Sequence, residues 1–87
     1  MTTTIDAIRA EALFVSCLQA SQRPEPEQVR DAVEGSLRKL GADECITRVA
    51  VEFGEHPDIA VRRMCWCLDA VRSAFATEGV VSLPKAA

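Results

Sequence analysis

Tyrosine is missing from this 87-residue chain, histidine and tryptophan occur once each as His56 and Trp66, and lysine occurs only twice. With a single imidazole, a metal site would have to rest on the four cysteines, and their spacing does not suit one. Structural zinc sites take thiols about two to four residues apart in a knuckle. Cys17 and Cys45 have no such neighbour. Cys65 and Cys67, in "CWC", would diverge by about 200° on a helix. No metal and no cofactor is expected. Missing as well are a glycine-rich or oxyanion-forming turn and a pair of carboxylates isolated in an apolar setting. A thiol and an imidazole without that frame do not make a nucleophilic site, so no catalytic residue is assigned and the chain is read as a non-enzyme.

Long apolar runs are also lacking. None approaches the roughly 20 residues that span a bilayer, which argues against a membrane partner. Asp6, Arg9 and Glu11 interrupt the N-terminal segment where a signal peptide would be continuously apolar. The expected location is cytoplasmic, where thiols stay reduced. Nor is there a basic footprint. Residues 1–47 hold five basic and eight acidic side chains, residues 48–87 five of each, and the whole chain carries −3. That balance disfavours non-specific nucleic-acid binding while leaving room for a local patch.

What is present describes a folded domain. Hydrophobic residues make up 48% and charged residues 26%, which is globular composition. Residues 1–87 are read as a single all-α domain, short enough that a partner subunit would add useful stability.

Four helices are expected, at about 4–21, 25–40, 43–53 and 57–76. Thr3 or Thr4 caps the first, and "RPEPE" separates it from the second, because Pro24 and Pro26 suit only a break or a first helical turn. In the second, Val29, Ala32, Val33, Ser36, Leu37 and Leu40 mark one buried face, Glu34 and Arg38 pair on the other, and Gly41 closes the helix. Gly35 sits in its interior, either allowing close approach of another helix or simply tolerated. The third helix takes Asp43 as its cap, Ile46, Val49, Ala50 and Phe53 as its core stripe, and Gly54 as its end. Pro57 opens the fourth, with His56 before it as a modest cap. The segment 77–87, "TEGVVSLPKAA", reads either as a docked extended strand or as a frayed end.

On the fourth helix Val61, Met64, Leu68, Val71 and Phe75 form a seam at spacings of 3, 4, 3 and 4, with Ala60, Cys67 and Ala74 at its edge. By the same count Trp66 points roughly 160° away from that seam, beside Ile59 and Ala70, with Arg62 and Arg63 flanking. Tryptophan beside arginine is the composition of an interaction hot spot. The first helix, through "ALFVSCLQA", is apolar on all sides, which fits either a central helix or a subunit interface.

Residues 46–66, which include "TRVAVEFGEHPDIAVRRM", resemble the helix-turn-helix DNA-binding family. Ala50 precedes Gly54 by four residues, and a second helix with paired arginines follows. That resemblance implies His56, Arg62 and Arg63 as DNA-contacting residues. Glu55 and Ala60 depart from the apolar positions of the pattern, and Glu52, Glu55 and Asp58 would face phosphate. The longer segments "ALFVSCLQASQRP" and "VAVEFGEHPDIAVRRMCW" resemble a group of short, uncharacterised proteins of actinomycetes. This implies a small bacterial cytoplasmic protein and carries over no site residue.

The leading expectation is a non-catalytic, regulatory protein–protein interaction module. It would pair with itself as a homodimer or with another protein through Ile59, Arg62, Arg63, Trp66 and Ala70. A DNA-binding regulator and a metal- or redox-sensing thiol protein are the alternatives.

Overall fold

A computed structural model describes residues 3–76, and the expectation for 77–87 lies outside the described residues. The described chain is all-α, with four helices: α1 (Thr4–Phe14), α2 (Pro26–Leu40), α3 (Ala42–Glu55) and α4 (Pro57–Ala74). A short 3-10 turn, Ala20–Gln22, lies in the connection between α1 and α2. No helix among the described residues is long and apolar enough to cross a membrane.

Thr3 is the cap of α1. Its hydroxyl accepts from the Asp6 N–H at 3.0 Å, and the Asp6 carboxylate accepts from the Thr3 N–H at 3.3 Å, a reciprocal box. At the other end α1 stops at Phe14 rather than near Ser21. Ser16 explains the early stop. Its N–H bonds Leu13 O in a tightened turn at 3.0 Å. Its hydroxyl donates to the same carbonyl at 2.6 Å and accepts from the Leu18 N–H at 3.3 Å. A serine that bonds its local backbone in this way competes with helix continuation.

This short helix is the centre of the fold, and it packs against all three others, most extensively against α4. Ala10, Ala12, Leu13 and Phe14 are buried on it. The apolar perimeter of the first helix therefore resolves to a central position.

α2 matches its expected face. Val29, Val33 and Ser36 are buried, and Ala32, Leu37 and Leu40 pack at the margin. Pro26 opens the helix, and the Gln28 side chain accepts from the Glu25 N–H at 2.8 Å. The Glu34–Arg38 pair forms at 3.5 Å with both side chains 70% exposed, so its contribution is small. Gly41 alone joins α2 to α3 at φ +83°, a region open to glycine at no steric cost. Gly41, not Asp43, is consequently the residue before α3.

In α3 the buried positions are Cys45 and Val49, with Phe53 half-buried and stacked on Phe14 at a centroid distance of 6.1 Å. Ile46 and Ala50, expected in the core, are exposed. Gly54 does not end α3, which runs on to Glu55.

The core face of α4 is also rotated from the expected seam. Ala60, Cys67, Val71 and Ala74 are buried, while Val61 is 50% exposed. Small residues let α4 approach α1 closely, so the line of closest contact follows them. The bulkier Met64, Leu68 and Phe75 lie to one side of that line and Trp66 and Ala70 to the other. At about 100° per residue, Trp66 and Leu68 are each about 100° from Cys67 in opposite senses. Trp66 is thus a flank of the core and not its reverse face.

Candidate interaction surface

Arg63 holds this part of the molecule together. Its Nε donates to Phe14 O at 2.9 Å, and one terminal nitrogen donates to Leu13 O at 3.3 Å and Ser16 O at 3.1 Å. No basic residue of α1 itself lies in its last turn, so a guanidinium from α4 supplies positive charge and further donors to the carbonyls at that end. The same group lies 5.4 Å from the Phe14 ring centre and 5.6 Å from that of Trp66, within cation–π range of both. Arg30 repeats the device, with Nη1 donating to Ala74 O at the end of α4 at 2.7 Å. Arg63, expected at an interface or on DNA, thus engages Nε and one terminal nitrogen with carbonyls of its own chain, and it also lines the grooves of this face.

Three grooves run together across this face. The largest, about 490 Å³, lies between the end of α1, the outer side of α3 and the start of α4, with Val15, Glu52, Val51, Ile59 and Arg63 on its walls. A second, about 260 Å³, shares Gln19, Ile59 and Arg63 with it and adds Ala20, Arg62 and Trp66. A third, about 330 Å³, shares Ala20 and Trp66 with the second and continues over Arg23, Pro24 and Ala70. Shared walls make them one band. Ile59 is 62% exposed and Val51 49% exposed on it.

The structure thus places Ile59, Arg62, Arg63 and Trp66 on a single groove, and Ala70 on the one beside it. Ile59 and Arg62 are open to solvent, whereas Trp66 and Ala70 are half-buried. The α1–α2 connection, through Ala20, Arg23 and Pro24, forms the wall beside the indole. Val51 and Gln19 were not foreseen. Val51 is an aliphatic residue off the buried face of α3, and its place outside the 3.6-residue apolar stripe of that helix is the signal that could have found it.

For the helix-turn-helix residues the geometry is specific. α3 and α4 are separated by His56 alone, at φ −137° and ψ 65°, and Gly54 is helical. The turn of the motif ordinarily spans about three to four residues. His56 and Arg62 are exposed, and Arg63 is tied to α1.

The cysteines divide into two kinds. Cys45 and Cys67 are buried, while Cys17 and Cys65 are exposed. Burial pushes the Cys67 thiol up to about 12, against a smaller opposing pull from Arg63. Burial also raises Cys45, with the nearby Glu11 carboxylate adding to the shift. Glu11 is itself raised by burial on the central helix. Buried thiols of this kind are poor nucleophiles and poor ligands. No group of three or more metal-ligating side chains occurs among the described residues.

No protein-family model matches the chain, and no curated protein or solved structure is significantly similar to it.

Proposed function

We propose that the protein is a non-catalytic, regulatory protein–protein interaction module of the cytoplasm, working as a homodimer through the band on α3 and α4. One observation carries this reading: Ile59 and Val51 stand exposed on adjoining grooves that also hold Arg62 and the half-buried Trp66. Exposed aliphatics around a tryptophan–arginine cluster match the anatomy of an interface centre with a polar rim. A cytoplasmic setting fits four unpaired cysteines.

Ile59→Asp is the informative substitution. Ile59 contributes little to its own fold at 62% exposure, so the variant should remain helical. Sedimentation of the wild type at tens of micromolar should give a dimer, and Ile59→Asp a monomer. A wild-type monomer at that concentration removes the homodimer. Binding of random duplex DNA at low salt, weakened by Arg62→Ala, would instead support the regulator of transcription.

A further inference from the structure

Resting on that reading, we infer that the band pairs with its own two-fold copy about Ile59, setting Glu52 of each chain against Arg62 of the other. The two grooves that meet at Ile59 carry different charge. Toward α3 the wall holds Glu44, Arg48 and Glu52. Arg48 is bonded to Glu44 at 3.0 Å, which leaves Glu52 as the uncompensated charge. Toward Trp66 the wall holds Arg62 and Arg63. Arg63 is engaged with the carbonyls of α1, which leaves Arg62. Neither Glu52 nor Arg62 belongs to an ion pair of its own chain among the described residues. Asp58, one turn before Arg62 on α4, makes no ion pair with it either, and Asp58 lines neither groove.

Glu52 lines only the first of these grooves and Arg62 only the second, with Ile59 common to both. The acid and the base therefore lie on opposite sides of the apolar centre. In a two-fold interface residue i meets residue j while j meets i. An axis through Ile59 therefore brings the acidic side of one copy onto the basic side of the other, twice over. The Ile59 side chains of the two copies meet at the centre, and Val51 lies beside Glu52 on the acidic side. A surface whose two halves are complementary in charge and joined by an exposed aliphatic selects a second copy of itself as occupant, because electrostatic complementarity fixes partner and register.

The experiment is a charge exchange in the full chain, read as the dimer dissociation constant by sedimentation. Glu52→Arg and Arg62→Glu each place like charges together at two symmetric positions and should weaken the dimer about tenfold or more. The doubly exchanged protein should return to within about threefold of wild type, the signature of direct coupling. Circular dichroism of each variant confirms folding, since both positions are exposed. Loss of the dimer on Ile59→Asp, with single reversals that have no effect or a double exchange that does not recover, overturns this register and leaves the interaction surface standing. A dimer indifferent to Ile59→Asp, or no wild-type dimer, overturns both.

Discussion

At the level of single residues, the buried thiols make the most direct prediction. Cys67 is fully buried with its thiol raised to about 12, and Cys45 is 1% exposed. Alkylation of the native protein with iodoacetamide near pH 8 should label Cys17 and Cys65 and spare the other two until the chain is unfolded. Mass spectrometry counts the adducts, and four adducts under native conditions would contradict the packing. The sign of the pH effect follows from the same shift. A thiol whose folded value lies above its unfolded 9.0 contributes stability that is complete below about pH 9. That contribution is lost as pH rises toward 12. Gly35 gives a second prediction. A methyl group added there would meet nothing within 4 Å, so the close-approach role is not required of it. Gly35→Ala should raise stability by about 1 kcal/mol, seen as a melting temperature higher by about 4–8 °C.

At the scale of the element, two arginines each close the end of another helix, and Arg63 is the more important. Replacing it with Met keeps much of the aliphatic stem but takes the guanidinium donor from the carbonyls of Phe14 and Ser16, Leu13 O still accepting from Ser16. Hydrogen bonds to a charged group are worth about 1.5–3 kcal/mol, so Arg63→Met should cost about 3 kcal/mol in urea unfolding. Lys in its place should recover only part, since one ammonium cannot reproduce the planar fork. Equal stability of the Met variant would show that water serves those carbonyls as well. The same elements show what could be read from the chain alone. Four helices, the prolines that open α2 and α4, and the buried face of α2 were legible, because their signals are local. The faces of α3 and α4 were legible in part: Val49 and Val71 are buried and Phe53, Met64, Leu68 and Phe75 pack against the core, but Ile46, Ala50 and Val61 are exposed. In both, counting bulky aliphatics pulled the expected stripe toward Ile46 and Val61, while the buried line follows Cys45 and Val49 on one helix and Ala60, Cys67 and Ala74 on the other. Cysteine is among the most buried residue types, so weighting it as core would have turned both faces the right way and moved Trp66 from the reverse side to the flank. The end of α1 was hidden for another reason. Ser16 stops the helix through hydrogen bonds to its own local backbone, and a guanidinium 47 residues away meets its carbonyl; apolar periodicity registers neither.

The whole molecule is small, and its buried core of Ala, Val and Cys with a single Leu and Phe is a modest source of stability for a chain of this length. Association through the Ile59 band would then be part of how the native state is maintained. An associating native state makes the melting temperature depend on concentration, because dilution favours the separate unfolded chains. For a domain of this size a tenfold rise in protein should lift the melting temperature by about 4 °C, which follows from about 1.4 kcal/mol per mole of dimer shared between two chains. Ile59→Asp should melt at one temperature across the same concentrations, equal to the dilute limit of the wild type, since the substituted side chain belongs to the surface and not to the core. Calorimetry over a hundredfold range of concentration checks both statements. A wild type whose transition does not move would mean that this core stabilises the domain without a partner, and the exposure of Ile59 and Val51 would then need a ligand other than a second copy.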